Sequence, residues 1–177
     1  VKWKKVSNAD GYLVYVAYCG KKIGKPVKTM KNGNSSSASI SKLGGKKINL
    51  KKVYKVYVEA YKLVKGKKIV IARTITAYVV GRKRTKYTNV RKLTLSKNNY
   101  TVRAGKTALM RAKLILDDKG KKHIPKNFCA KLRYKSSNIS IATVDKKGKI
   151  KGIRKGTCTI YVYSVNGIMK KAKVTVK

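Results

Sequence analysis

Acidic residues and histidine are almost absent from this chain, and their scarcity excludes most catalytic chemistry. The 177 residues include five carboxylates and one histidine. His123 lies in a lysine-rich loop with no obvious carboxylate to orient it, so we expect an exposed loop histidine and no Ser-His-Asp or Cys-His arrangement. Asp117 and Asp118 are the only adjacent acidic pair, and Asp-Asp-Lys-Gly is typical of a turn. We therefore predict no catalytic residues, no metal site and no cofactor.

Cysteine is equally scarce. The three cysteines form no closely spaced pair of the metal-binding type. Their odd number leaves at least one thiol outside any disulfide. The sequence alone does not decide whether Cys129 and Cys158 form a disulfide. Cys158 alternates with Ile160 and Val162, so we expect it to point inward as a small apolar side chain.

Long apolar runs are also missing. No run approaches the ~20 residues that a membrane-spanning helix needs, so we predict no transmembrane segment. The chain opens on Val1 within an apparent strand, without a signal peptide. We expect it to be an internal piece of a longer protein.

Positive charge is present in large excess. The chain has 47 Lys and Arg against 5 Asp and Glu, a formal net charge of +42. Residues 1–86 hold 23 basic and 2 acidic residues and residues 87–177 hold 24 and 3, so each half carries +21. This even spread disfavours a nucleic-acid-binding arm, which would concentrate the charge. Two interpretations stay open: a lysine-rich solvated surface, or adhesion to polyanions such as teichoic acids, anionic glycans or nucleic acid.

Apolar side chains recur with a period of two, which indicates half-buried strands of antiparallel sheets. Ala108, Met110 and Ala112, for example, alternate with Leu109 and Arg111. Glycine and asparagine turn signals separate such stretches at short intervals, and no helical pattern interrupts them. The sequence therefore predicts an all-β fold.

The end of the chain carries the most specific pattern. A strand at Tyr134 is followed by a Ser-Ser-Asn turn, a second strand and an Asp-Lys-Lys-Gly hairpin. A third strand comes next, and Lys-Gly-Thr then leads into a fourth. The segments that carry this pattern are Tyr134-Lys-Ser-Ser-Asn138, Ile141-Ala-Thr-Val-Asp-Lys-Lys-Gly148 and Gly156-Thr-Cys-Thr-Ile160. This run resembles the bacterial Ig-like group 2 (Big2) domain, a module stacked in surface proteins and adhesins. The resemblance covers residues 87–177, with Lys92–Ser96 as the first strand.

The Big2 resemblance has two further implications. Tyr134 stands where the family usually has tryptophan, and it would fill the same core position. The stretch Asp117–Phe128 is longer than usual, so we expect it to protrude as a loop. A module of this family normally serves as a rod segment or a binding surface rather than an enzyme.

Residues 1–80 resemble a fibronectin type III domain. The resemblance rests on Val1-Lys-Trp3-Lys-Lys-Val6, on Ala9-Asp-Gly-Tyr12-Leu-Val14-Tyr-Val16 and on Ile48 followed by Tyr54, Val56, Val58, Ala60 and Tyr61. It implies that Trp3 packs between the sheets and that Tyr54 is a corner tyrosine whose hydroxyl bonds upstream backbone. Leu50 stands where the family usually has proline, and the family's first strand would precede this sequence.

The two resemblances together imply two tandem immunoglobulin-like β-sandwiches. The first domain would span residues 1–80 and the second residues 87–177, with a short basic linker at 81–86.

The alternation also suggests a binding surface. In the strand from Tyr12, side chains 12, 14 and 16 should face the core and Leu13, Tyr15 and Ala17 should face outward. In the strand from Lys55, the outward set is Lys55, Tyr57, Glu59 and Tyr61. The two strands are neighbours in a fibronectin type III domain, so we predict a ligand or polyanion patch at Tyr15, Lys55, Tyr57 and Tyr61. The alternative is cross-strand tyrosine pairing that only stabilises the sheet, and it applies equally to Tyr161 and Tyr163.

The functional hypothesis is a non-catalytic segment of a bacterial cell-surface or secreted protein. It would present or anchor other domains and contact anionic cell-wall polymers or host glycans and proteins, as a monomer. Two alternatives stay open. The first is a polyanion- or nucleic-acid-binding module, with nucleic acid the less favoured ligand. The second is a set of accessory carbohydrate-binding modules of a secreted glycan hydrolase.

Overall fold

The alternating apolar pattern forms strands throughout the chain. The computed structural model describes all 177 residues, with sixteen strands and no helix. They divide into two units, Val1–Thr85 and Lys86–Lys177. The prediction of an all-β fold with two sandwiches is confirmed. The chain contains no helix with the length and apolar character required to cross a membrane.

The first unit consists of two layers. One layer is a sheet of strand order β2-β1-β5-β6, in which β7 also pairs with β5. The other layer contains the hairpin of β3 and β4 and a bridge between Lys2 and Ser37. The strands are β1 Gly11–Tyr18, β2 Lys28–Met30, β3 Lys42–Leu43, β4 Lys46–Lys47, β5 Val53–Val64, β6 Lys67–Arg73 and β7 Ala77–Val80.

The core of the first unit follows the predicted alternation. Tyr12 and Val14 of β1 and Val58 of β5 are 3 % exposed or less and pack together between the layers. Trp3 packs against this cluster, with its ring centroid 5.2 Å from that of Tyr12. Each apolar side chain buried in this way contributes about 1.5–3 kcal/mol to folding.

Tyr54 fixes the corner before β5. Its hydroxyl donates a hydrogen bond to the backbone carbonyl of Asn49 at 2.8 Å, which confirms the contact predicted for this residue. Its ring is 5 % exposed and lies 5.2 Å from that of Tyr18, between centroids. Gly81 lies against the same corner, where a Cβ would collide with the carbonyl of Leu50.

The second unit also has two layers. A sheet of order β12-β15-β16-β9 faces two smaller sheets, β11-β8 and β10-β14-β13. All pairs are antiparallel except β16 with β9. The strands are β8 Val90–Leu95, β9 Asn99–Val102, β10 Thr107–Leu109, β11 Ala112–Leu116, β12 Leu132–Ser136, β13 Ala142–Val144, β14 Lys149–Gly152, β15 Gly156–Ser164 and β16 Met169–Val176.

The core of the second unit draws on both layers. Leu93, Ile150 and Ile160 have no exposed surface, and Tyr134 packs against the cluster they form. The Tyr134 ring lies close above Gly148, where a Cβ would approach its hydroxyl oxygen to 2.9 Å. Tyr134 thus has a core position, as its place in the sequence pattern implied.

A buried polar contact joins the two layers of the second unit. Ser164 has no exposed surface, and its Oγ accepts a hydrogen bond from the Ile168 amide at 2.9 Å and lies 3.0 Å from Asn166 Oδ1. The Asn166 amide donates to the carbonyl of Val90 at 2.9 Å. Because buried polar groups are costly unless they are paired, this turn holds β8 in a defined position.

The stretch Asp117–Phe128 is tied to the domain rather than protruding. The Lys122 amide donates to the carbonyl of Lys86 at 3.1 Å, and the Thr88 amide donates to the carbonyl of Lys122 at 3.0 Å. Ile124 is 2 % exposed. The expectation of a protruding loop was wrong because this single apolar side chain is buried and holds the segment down.

Most of the basic segment 81–86 belongs to the first unit. The Gly81 amide donates to the carbonyl of Lys52 at 2.9 Å, and the Lys83 amide donates to the carbonyl of Leu50 at 3.0 Å. These bonds fix the backbone that the sequence suggested as a linker.

Cys158 lies inward on β15 and is 5 % exposed, which confirms the expected orientation. Cys129 is half-buried and forms no disulfide with Cys158.

We predict that Tyr54→Phe lowers the free energy of unfolding by about 1 kcal/mol, since it removes the hydrogen bond from the Tyr54 hydroxyl to the Asn49 carbonyl. Urea denaturation followed by circular dichroism measures the change. Tyr57→Phe in the same strand is the matched control, with an expected change within about 0.5 kcal/mol. Equal losses for both variants would contradict a specific role of the Tyr54 hydroxyl.

Candidate functional site

The predicted patch lies on the side of the β1–β5 pair that faces away from the core. The strand register places Tyr15 opposite Tyr57, Ala17 opposite Lys55 and Gly11 opposite Tyr61. The structure therefore brings Tyr15 and Tyr57 into direct contact. Lys55 lies one cross-strand pair away, between Ala17 and Tyr78 of β7.

Tyr15 and Tyr57 stack on each other. Their ring centroids are 4.5 Å apart and their planes are inclined by 19°. The guanidinium carbon of Arg73 lies 3.7 Å from the centroid of the Tyr57 ring. Because one face of a ring cannot hold both groups, Tyr57 has an aromatic ring on one side and a cation on the other.

Glu59 completes this cluster. The Tyr15 hydroxyl donates a hydrogen bond to the Glu59 carboxylate, and Arg73 Nε lies 3.9 Å from Glu59 Oε1. The Glu59 side chain is 13 % exposed. Burial, with the Glu59 contact as the next cause, raises the pKa of Tyr15 to about 12. We call Tyr15, Tyr57, Glu59 and Arg73 the tyrosine–arginine cluster.

Tyr61 is not part of an exposed patch. It is 2 % exposed, so the expectation that it faces solvent was wrong. Its ring covers Gly11, where a Cβ would lie 2.7 Å from the ring carbon that bears the hydroxyl, and its hydroxyl lies 3.3 Å from the Met30 carbonyl. The β5–β6 register shifts between Ala60 and Tyr61. These two successive residues are both buried, so the alternation of inward and outward side chains along β5 breaks there.

The same face of the sheet is less open than the alternation suggested. Leu13 is 8 % exposed and Ala17 is 7 % exposed, although neither belongs to the core cluster. Their cross-strand partners on β5 are Glu59 and Lys55, which carry longer side chains on the same face of the sheet. The expectation that Leu13 and Ala17 are exposed was therefore wrong.

Sequence reasoning missed Arg73 as a member of the cluster. The residue that could have pointed to a basic partner was Glu59, the only carboxylate in β5. A half-buried acid in a chain with 47 Lys and Arg needs a cationic partner. The partner comes from β6, and its register could not be read from the sequence because of the shift near Tyr61.

A second aromatic surface lies on the outer side of β15. The Tyr161 and Tyr163 ring centroids are 6.4 Å apart, with an interplanar angle of 28°. The register sets Lys135 and Lys171 beside Tyr161, and Arg133 beside Tyr163. No carboxylate lies on β12, β15 or β16. We call these five residues the basic tyrosine face.

Three carboxylates are engaged by backbone. Asp10 Oδ2 accepts from the Leu63 amide at 2.6 Å, and Asp118 Oδ1 accepts from the Gly120 amide at 2.9 Å. Asp145 Oδ1 accepts from the amides of Lys147 and Lys149 at 2.8 and 2.9 Å. The hydrogen bond from the Lys149 amide is the main cause that lowers the pKa of Asp145. These acids fix loops and turns and form no shared site.

His123 is half-buried rather than solvent-exposed. Its Nδ1 is buried without a hydrogen-bond partner. Burial, and secondarily the charge of Lys131, lowers the pKa of His123. The expectation of an exposed loop histidine was wrong because the burial of Ile124 draws the segment inward.

One open cleft of about 890 Å³ lies at an end of the first unit. Two polar loops, 5–10 and 31–34, line it together with Leu63. The carboxylate of Asp10 in this cleft already accepts the Leu63 amide. No group of three His, Cys, Asp or Glu side chains converges there or elsewhere in the chain.

Comparison with protein families matches residues 89–176 to the bacterial Ig-like domain (group 2). The match lies within the second unit and covers just under half of the chain. It does not extend to residues 1–88, and the fibronectin type III resemblance of residues 1–80 stays a prediction. A comparison with curated proteins found no match.

Several solved structures are similar at low identity. Domains 4 and 5 of the S-layer protein SbsC are 17 % identical, cover 70 % of this chain and 64 % of their own, and give a TM-score of 0.41. Domains 4–9 of surface layer protein SbsC are 15 % identical, with 98 % and 22 % covered and a TM-score of 0.41. The C-terminal fragment of intimin, in complex with the intimin-binding domain of its translocated receptor, is 14 % identical, with 97 % and 53 % covered and a TM-score of 0.32. The chain spans less than two thirds of each.

We predict that the Tyr15 hydroxyl keeps its proton to about pH 12, because burial and the Glu59 carboxylate oppose the phenolate. The unfolded chain releases this proton near the ordinary pKa of 10.0. The contribution of Tyr15 to stability is thus complete below pH 10 and is lost as the pH rises through 12.

The difference in phenolate absorbance between the parent chain and Tyr15→Phe measures this titration, with circular dichroism as the check on folding. Glu59→Gln should lower the midpoint by removing one of the two main causes. A midpoint near pH 10 in the folded parent chain would show that Tyr15 is not held as described.

Proposed function

We propose that this chain is a non-catalytic structural and adhesive segment of a bacterial cell-surface or secreted protein. In this proposal a fibronectin type III-like domain at residues 1–80 precedes the Ig-like domain at 87–177. The segment presents or anchors domains that lie outside this sequence, and it acts as a monomer. The family match at residues 89–176 and the two β-sandwich units support the proposal.

Uncompensated positive charge is the observation that carries the adhesive part of the proposal. Five carboxylates cannot neutralise 47 cations, and three of the five are engaged by backbone amides. The structure shows two ion pairs, Arg73 with Glu59 and Lys121 with Asp118. The remaining cations form a coat that attracts anionic cell-wall polymers or host glycans through many weak contacts, whose combined strength depends on salt.

The tyrosine–arginine cluster has a limited part in this mechanism. Tyr57 already contacts Tyr15 and Arg73, and Glu59 already accepts a hydrogen bond and an ion pair. Tyr15 and Lys55 are the residues of this surface that would contact a glycan or a polyanion. The cluster serves mainly to stabilise the sheet, with ligand contact as a secondary role.

A second candidate function is a dedicated polyanion-binding module. The observation that favours it is the basic tyrosine face, where three cations surround two tyrosines with no carboxylate on the same strands. Aromatic faces beside cations are the elements with which proteins bind single-stranded nucleic acid and acidic sugars. The two candidates differ in whether binding is spread over the surface or concentrated on this face.

Binding of the 177-residue chain to teichoic acid, heparin, duplex DNA and a neutral glycan tests the proposal. The salt concentration should span about 50 to 500 mM, over which the Debye length falls several-fold. We expect binding to all three polyanions, a steep loss with salt and no binding to the neutral glycan. Absence of binding to every polyanion, or salt-resistant binding to the neutral glycan, would contradict the adhesive mechanism.

Two tyrosine variants separate the candidates. If binding is spread over the cationic surface, the double substitution Tyr161→Ala and Tyr163→Ala should weaken the affinity for polyanions by less than about twofold. Tyr15→Ala should weaken that affinity by a similarly small factor. If the basic tyrosine face is a dedicated site, the double variant should lose about tenfold or more, since each stacked group contributes about 1–3 kcal/mol. Tyr15→Ala is then the matched control that keeps its affinity.

A further inference from the structure

The outer part of the β5–β6 hairpin exposes an unusual amount of apolar surface. We call residues 62–71 the hairpin arm. Five of the eleven exposed large apolar residues of the chain lie on it, each between 42 % and 50 % exposed: Leu63, Val64, Ile69, Val70 and Ile71. Single exposed apolar side chains are common, but a contiguous group of this kind marks an interaction surface.

The arm also has a free backbone edge. β6 pairs with β5 on one side only and ends the strand order of its sheet. No backbone hydrogen bond joins its other side to another strand or loop. Alternate N–H and C=O groups of β6 therefore face outward, in the arrangement that accepts an added strand.

The usual protection of an edge strand is incomplete here. Lys67 and Lys68 stand at the tip of β6 and Arg73 stands at its other end. Between them Ile69, Val70 and Ile71 run without a charged or proline residue. The register shift passes over Ile71 at the end of this apolar run, so Ile69 and Val70 keep regular pairing with β5 and leave their outer edge open.

Charge decides which partner fits the edge. The arm carries Lys62, Lys65, Lys67 and Lys68 and no carboxylate. A second copy of this chain would bring a further net charge of +42 to the same surface. An acidic partner would instead be attracted to these lysines, whereas a second copy of the chain would be repelled by them.

We propose that the free edge of β6 binds an extended, acidic segment of another protein as an added β-strand. The partner's backbone pairs with the outward N–H and C=O groups of β6. Because successive side chains of a strand point to opposite faces, its apolar side chains cover Ile69 and Ile71 on one face, and its carboxylates lie on the other face near Lys68. The lysines of this site belong to the cationic coat described above, but the site differs from it in using backbone pairing that a polysaccharide cannot supply.

A dye-labelled peptide of alternating glutamate and valine, with 7 residues to match β6, is the probe. Fluorescence anisotropy with the 177-residue chain at about 150 mM salt measures its binding, because long-range attraction is largely screened there. A peptide of the same charge with a central proline is the control, since proline cannot donate to the ladder. We expect the proline peptide to bind about tenfold more weakly, the loss of one or two backbone hydrogen bonds.

The double substitution Ile69→Thr and Ile71→Thr tests the site on the protein. Both side chains are exposed and threonine favours strands, so the fold should be kept, with circular dichroism as the check. We expect about tenfold weaker binding of the glutamate–valine peptide, from the apolar area no longer covered. Leu109→Thr with Ile139→Thr, at exposed positions of the other unit, is the matched control and should bind as the parent chain does.

Three results would overturn the proposal: no binding of the glutamate–valine peptide, equal binding of the proline peptide, or equal losses in the two double variants. The second result would mean that charge alone attracts the peptide. Sedimentation of the chain without peptide gives an independent check. Dimers abolished by the Ile69→Thr and Ile71→Thr pair would show that a second copy occupies the edge instead.

Discussion

Burial of apolar side chains holds this protein together against its own charge. A net charge of +42 opposes any compact state, and ion pairs offer little relief because carboxylates are few. Both units meet this constraint with an apolar core between two layers of strands. Apart from the tyrosine hydroxyls, Ser164 carries the one polar group among the buried side chains, and its hydroxyl is hydrogen-bonded. The lysines occupy the outward positions that the period of two leaves to them, so the pattern that builds the core also builds the cationic surface.

The same constraint shapes the surfaces that could bind partners. Where a carboxylate is present beside tyrosines, as at Glu59, the cationic partner is drawn into an internal cluster and less remains for a ligand. Where no carboxylate is present, as around Tyr161 and Tyr163, Lys135 and Lys171 have no acidic partner on the same strands, whereas Arg133 donates to the carbonyls of Ser164 and Val165. The hairpin arm adds an apolar edge with lysines at its tip, a surface of a different chemical kind. Charge, aromatic and apolar surfaces are thus distributed over different strands.

Much of the fold could be predicted from the sequence because alternation depends only on neighbouring residues. The inward positions of Val14, Val58 and Cys158 follow from the period of two, and the hydroxyl contact of Tyr54 follows from a local corner pattern. The exposure of Tyr61 could not be predicted, because a register shift and the space above Gly11 decide it. Arg73 was missed for a similar reason, since its place over Tyr57 depends on the pairing of β6 with β5. Contacts fixed by cross-strand register are not encoded in the sequence of one strand.

The most direct test of this account is the free energy of unfolding as a function of sodium chloride. Urea denaturation at about 10, 100 and 1,000 mM salt covers Debye lengths from about 30 to 3 Å. If apolar cores hold the fold against self-repulsion, stability should rise with salt and level off once the charges are screened. Stability that falls with salt would contradict the account, because it would mean that attractive ion pairs contribute more to the fold than repulsion removes.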